Sequence, residues 1–175
     1  MKKTGSTKSG RNSVEQRLFR HWREFLQRSN KSLDAKDERK LRIATERFRE
    51  QVEEAAADGF ECSVTWYSLG LWSFDNEERI LCFGRTLKCI AKEEVLRPAA
   101  DALGRWTFAH YNALCRFEIA RALANEGRRN DAKPYLEEAL PYARMAEDMA
   151  EKDDTFEGNL EGRIAGELML LDVKW

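Results

Sequence analysis

The stretch that most constrains this chain runs from Ala113 to Ala143, where two helical patterns meet at Glu126-Gly127-Arg128. Before the break, Ile119, Ala120 and Leu123 recur at helical spacing; after it, Ala132, Leu136, Ala139 and Leu140 do the same. Small side chains at Ala120 and Ala132 let two helices approach closely, while Leu123, Leu136 and Leu140 fill the groove between them. The stretch reads as an antiparallel helical hairpin, and the rest of the chain has to pack against it.

The hairpin resembles a tetratricopeptide repeat, in which helix A carries a small residue, a glycine makes the turn, and helix B reads A-x3-[FYL]-x2-A. Ala120, Leu123, Gly127, Ala132, Leu136 and Ala139 fall in that register. Two positions depart from it: Arg116 stands where the early aromatic belongs, with Phe117 one residue late, and Arg144 replaces the closing proline. Upstream, Trp66, Leu69 and Gly70 match the W-x2-L-G opening of a helix A, but Trp66 and Arg116 lie farther apart than the family's repeat of about 34 residues. The resemblance implies an all-α fold of antiparallel helical hairpins, six or seven helices stacked as a tetratricopeptide-like right-handed array. It also implies that a partner protein binds in the concave groove made by the A helices.

The remaining sequence divides in keeping with that expectation. Residues 1–12 are basic and polar without apolar repetition and read as a flexible tail, leaving 13–175 as one helical domain. Ser13 with Gln16 reads as a capping box opening a first helix over about 14–28, with Val14, Leu18, Trp22, Phe25 and Leu26 on one face. A second helix runs to about Asp58 with Leu41, Ala44, Phe48, Val52 and Ala55 inward, and Gly59 closes it. From Glu61 to Ser73 the pattern is apolar nearly all round, as in a central helix. Asp75 with Glu78 caps a fourth helix to Arg97, stopped by Pro98, whose interior Gly84 implies a close crossing by a neighbour. Residues 99–126 and 130–151 form the hairpin itself. Gly158, Gly162 and Gly166, with Leu160, Ile164, Leu168, Leu171 and Trp175, imply a last helix packed closely on that hairpin or paired with a second copy as a homodimer.

The chemistry is sparse. Cys62, Cys82, Cys89 and Cys115 form no C-x2-C pair and read as buried reduced thiols, and neither His21 nor His110 has a ligand-like spacing from them. His110 on an apolar stripe reads as a core or rim histidine. No phosphate loop, nucleophile elbow or metal-binding helix motif occurs, so neither enzyme activity nor a cofactor is expected. No apolar run reaches the ~18 residues that a membrane span needs, and no signal peptide is apparent, so a cytoplasmic location is expected.

Charge is distributed unevenly. Residues 1–50 carry 15 basic and 7 acidic residues, and residues 51–175 carry 15 and 24. From Glu137 to Glu161 there are nine acids against Arg144 and Lys152, so Glu137, Glu138, Glu147 and Asp148 are candidates to meet a cationic partner protein. Tyr135, Tyr142 and Trp106 are candidate aromatic anchors beside them, and Trp66, Tyr67 and Trp72 are the candidates on the groove side. These readings converge on capture of one partner protein, in particular an immunity protein neutralising a bacterial toxin. A secretion chaperone is the rival within that class, and a nucleic-acid-binding regulator using the basic N-terminal helices is the rival outside it.

Overall fold

A computed structural model describes residues 7–29, 35–96, 101–150 and 160–172. Among these residues there are seven α-helices and no strand: α1 Thr7–Ser29, α2 Ala35–Ala57, α3 Ser63–Trp72, α4 Asn76–Leu96, α5 Ala102–Asn125, α6 Arg129–Ala150 and α7 Leu160–Asp172. Each helix packs on the next in chain order, α5 with α6 most extensively. Among the described residues no helix is long and apolar enough to cross a membrane.

The turns follow from local chemistry. Gly59 and Gly127 have φ of 81° and 76°, a conformation in which a Cβ would be strained. At the first, Phe60 N–H donates to Ala55 O at 2.9 Å and Gly59 N–H to Ala56 O at 3.0 Å; at the second, Arg128 N–H donates to Leu123 O and Gly127 N–H to Ala124 O at the same two distances. Both are Schellman endings that satisfy the last carbonyls of α2 and α5. Asp75 accepts from Glu78 N–H at 2.8 Å to open α4, and Asp101 accepts from Gly104 N–H at 2.7 Å to open α5. No side chain of its own segment caps α3. Glu93 of α4 reaches back instead, accepting from Ser63 N–H at 3.0 Å and Ser63 Oγ–H at 2.7 Å.

Successive helices run antiparallel, and their alternation produces two sets. Phe19 against Phe60, Trp22 against Ser68 and Phe25 against Trp72 align α1 parallel to α3. Tyr67 meets Tyr111 edge-on at 4.8 Å, joining α3 to α5, and the Arg163 guanidinium lies 4.9 Å from the Phe117 ring centre, joining α7 to α5. On the other side Arg49 pairs with Glu78, joining α2 to α4.

Two apolar clusters fill the interior. One joins α1 to α4 through Leu18, Phe25, Leu41, Phe48, Val52, Trp66, Leu69, Cys82 and Cys89; the other joins α4 to α7 through Phe83, Ala113, Phe117, Ala120, Leu136, Ala139 and Ile164. Helix α4 belongs to both. The predicted small positions hold: Ala120 and Ala132 are buried between α5 and α6.

Several expectations change. The backbone is helical from Thr7, so Ser13 lies inside α1 and does not cap it, because extending a nucleated helix adds one hydrogen bond per residue and nothing in Thr7–Asn12 forbids it. Of the expected tail, residues 1–6 lie outside the described residues. A Cβ built on Gly84 meets nothing within 4 Å, so no close crossing explains that glycine. The close approach is at Gly70, where a Cβ would stand 2.9 Å from the Phe83 ring. Gly166 also faces open space and Gly162 is exposed; α7 seats on the hairpin through Leu160, Ile164, Leu168 and Leu171 instead. Gly158 and Trp175 lie outside the described residues.

The two helical glycines make opposite predictions. Gly84→Ala should stabilise the fold by about 0.5–1 kcal/mol by restricting the unfolded chain, whereas Gly70→Ala should destabilise it by about 1–3 kcal/mol by forcing the Phe83 ring aside. Ala132→Trp should cost at least as much as Gly70→Ala. Chemical denaturation of the three variants checks this, and equal midpoints for the two glycine variants would contradict the Gly70–Phe83 contact.

Candidate functional site

Helix α3 shows how the predicted groove residues are divided. At 100° per residue, Trp66 and Gly70 point one way, and Phe83 closes over Gly70 from α4. Trp66 is 2 % exposed with the Arg85 guanidinium over its ring at 4.6 Å, so it belongs to the core and offers no surface to a partner. Trp72 is half-buried against Phe25. Tyr67 turns toward α5, edge-on to Phe83 and Tyr111. The three aromatics therefore do not share a face.

What α3 leaves open is the strip between Tyr67 and Ser68. Ser68 Oγ accepts from Trp22 Nε1 at 2.9 Å and donates to Val64 O at 2.8 Å, which ties this side to α1. Val64 and Leu71, seven residues apart, project between the α1 and α5 contacts, and Leu71 is 46 % exposed. On α5 the matching outward line is Leu103, Thr107, His110 and Leu114, each exposed or half-buried. His110 stacks on Trp106 with ring centres 4.6 Å apart and meets Tyr111 edge-on at 5.6 Å. The result is a shallow apolar strip with half-buried aromatic walls, Phe19 and Trp22 on α1 and Tyr67, Tyr111 and Trp106 on α3 and α5. Sequence reasoning found Tyr67 but missed Leu71 and Tyr111 as surface. Their spacing on the wheel was available, but the direction of each neighbour was not.

The acidic candidates separate in the same way. Glu138 accepts from Arg116 Nε at 3.3 Å, and Arg116 in turn lies over Tyr142, 5.0 Å from its ring centre. Glu147 Oε1 accepts from Glu161 N–H at 2.6 Å, capping α7, while Arg144 Nε donates to Glu161 at 2.7 Å. These carboxylates hold the helices together. Glu137 and Asp148 make no ion pair among the described residues; both are exposed, and eleven residues apart they lie within about 20° of each other on α6. Tyr135 and Tyr142 are half-buried against the core, Tyr142 edge-on to Phe108. Residues 151, 153, 154 and 157, which complete the acidic run, lie outside the described residues.

The basic segment is also partly consumed by structure. Arg17 pairs with Glu54 at 3.0 Å and Arg49 with Glu78, while Arg20, Arg23, Arg39 and Arg47 are exposed. One ion pair is deep: Glu118, 6 % exposed, accepts from Arg79 Nη2 at 2.6 Å and Arg121 Nη1 at 3.3 Å, linking α4 to α5.

All four cysteines are free. Burial pushes the Cys82 and Cys89 thiols up to about 12, and raises Cys62 and Cys115 as well. Among the described residues no three His, Cys, Asp or Glu side chains converge as a metal site would require. Comparison with known proteins finds no matching family model, no matching curated protein and no matching solved structure.

Removing the buried carboxylate by Glu118→Ala should cost about 3–5 kcal/mol, because Arg79 is left charged without its main partner; a melting curve like the parent's would refute the pair's burial. At pH 8 a thiol titrating near 12 is about one ten-thousandth thiolate, so iodoacetamide should modify half-buried Cys62 first and Cys82 and Cys89 only on unfolding. The fold favours the protonated thiols, so their contribution is fully present below pH ~9 and is lost as pH rises toward ~12. Mass spectrometry of the labelled native protein reads the order, and Cys82 or Cys89 labelling alongside Cys62 would contradict it.

Proposed function

We propose that the chain is a protein-binding module that captures one partner protein, its hairpins stacked as a tetratricopeptide-like right-handed array. The observation that carries this reading is the succession of contacts along α1, α3, α5 and α7, by Trp22–Ser68, Tyr67–Tyr111 and Phe117–Arg163. Helices joined edge to edge in this way present one continuous face, and the apolar strip around Val64 and Leu71 lies on it. Half-buried aromatic side chains suit such a face because they are already largely ordered, so a partner fixes few additional rotamers.

The narrower form of the proposal is an immunity protein that neutralises a bacterial toxin. Its support is the line of open carboxylates, Glu137 and Asp148, on the far side of the α5–α6 hairpin, which would meet a cationic surface. A second reading, a secretion chaperone holding an extended segment of an effector, is favoured by the strip on α3, since an unfolded segment buries apolar side chains along a groove.

The two surfaces can be tested separately once the native partner is isolated by co-purification with the neighbouring gene product. Glu137→Lys with Asp148→Lys should slow association at low salt by about tenfold and flatten its salt dependence, with helicity unchanged. Leu71→Asp should leave the association rate near the parent's and speed dissociation. Loss through the first variant alone supports neutralisation of a cationic toxin, and loss through the second alone supports the chaperone. A complex indifferent to both removes these surfaces from the interface.

A further inference from the structure

We infer that Cys62 and Cys89 form a redox-responsive pair, which closes to an intramolecular disulfide when a low-molecular-weight disulfide reaches Cys62. The register of α3 against α4 sets the pair. Gly70 lies against Phe83, and the Arg85 guanidinium stands over the Trp66 ring at 4.6 Å. Because the two helices are antiparallel, one turn back along α3 matches one turn forward along α4, and that step from Trp66 and Arg85 brings residue 62 to residue 89. The residues on either side of Cys62 are held to the same face of α4. Glu61 pairs with Arg85 at 3.7 Å and with Lys92 at 3.0 Å, and Ser63 is bound to Glu93. On the α4 wheel Cys89 lies within about 60° of all three partners, so it sits in the middle of this clasp. A charge on Cys62 is among the causes that raise the Cys89 thiol. The other thiols have no such counterpart. Cys82 and Cys89 are two turns apart on one helix, about 10 Å, beyond the reach of a disulfide. Cys115 belongs to the cluster on the far side of α4.

Exposure divides the roles. Cys62 is half-buried and open to a reagent, whereas Cys89 is 3 % exposed and is reached only from within the fold. The Cys62 thiolate attacks one sulfur of the small disulfide, forming a mixed disulfide and expelling a thiolate that takes up the proton Cys62 lost. The Cys89 thiolate then attacks the Cys62 sulfur and expels the second small thiolate, which takes up the proton from Cys89. Both cysteines are oxidised, and the small disulfide is reduced to two thiols. The new bond ties the start of α3 to α4, where Glu93 supplies the cap.

The test is incubation of the folded full chain with oxidised glutathione at about pH 8.5, where thiolate is more abundant, followed by non-reducing peptide mass spectrometry and circular dichroism. The parent should yield one peptide pair joined through Cys62 and Cys89, with no glutathione retained. Its thermal midpoint should rise by about 5–10 °C and fall back on reduction. Cys89→Ala should hold one glutathionyl group on Cys62, and Cys62→Ala should leave Cys89 unmodified. A parent that keeps glutathione on Cys62 with Cys89 free overturns the inference. So does one that joins the two cysteines only in the presence of urea.

Discussion

The contact on which the rest of this structure depends is the seating of the Phe83 ring against Gly70. It brings α3 and α4 close enough for α4 to be buried on two sides at once. Cys82 and Cys89 face the cluster shared with α1, α2 and α3, while Phe83 and Leu87 face the one shared with α5, α6 and α7. Neither cluster is a full core on its own; each buries residues from about half the chain, and α4 is the wall between them. A side chain at position 70 would separate two helices and, through them, loosen both clusters. Helical arrays built from local pairs tolerate this arrangement because each element needs only its neighbours to bury its apolar stripe.

What could be read from sequence follows from whether the cause is local. Gly59, Gly127 and Asp75 announced their turns and caps because a glycine after a periodic run, or an aspartate three residues before a glutamate, acts within one turn of backbone. The α5–α6 hairpin was legible for the same reason, its small and large residues lying within thirty positions. Gly84 and Gly70 show the limit. Both are glycines within helices, and only the position of Phe83, set by how α3 crosses α4, distinguishes the one that is needed from the one that is not. The candidate groove residues are divided in a similar way. Trp66, Tyr67 and Trp72 were grouped by proximity in sequence, yet on a helix those numbers point in different directions, and whether each faces α4, α5 or α1 depends on neighbours brought together by the fold.

Charge counts mislead for a related reason. The acidic run from Glu137 onward suggested one continuous negative surface, but Glu138, Glu147 and Glu161 are bound up with Arg116, Arg144 and the backbone at the start of α7. In the basic segment, Arg49 is bound to Glu78 across α2 and α4. Such residues determine how helices sit relative to one another; they contribute little to the field felt by an approaching molecule. The carboxylates of the acidic run left to act outward are fewer, Glu137 and Asp148, and they lie on the face of α6 remote from the apolar strip. A partner that used both surfaces would have to wrap around the hairpin.

The location of the strip follows from helix length. Helix α3 has 10 residues, about 15 Å of rise, while α1 has 23 and α5 has 24. It begins where Glu93 of α4 supplies the missing cap and ends where Ser73 adopts an extended backbone, so both of its limits come from the chain around α4. With α1 aligned parallel to α3 by Phe19, Trp22 and Phe25, the residues of α1 before Val14 run past the start of α3. With Tyr111 opposite Tyr67, the second half of α5 runs past its end. A short helix between two long ones leaves a recess whose floor is whatever it turns outward, here Val64 and Leu71, and whose walls extend beyond it at opposite ends. The same feature that makes α3 central to folding, contact with α1, α2, α4 and α5, confines its exposed residues to one narrow line. The strip is thus the side of α3 that remains when its four neighbours have been satisfied, and its apolar character reflects a helix that the sequence made hydrophobic on nearly every face.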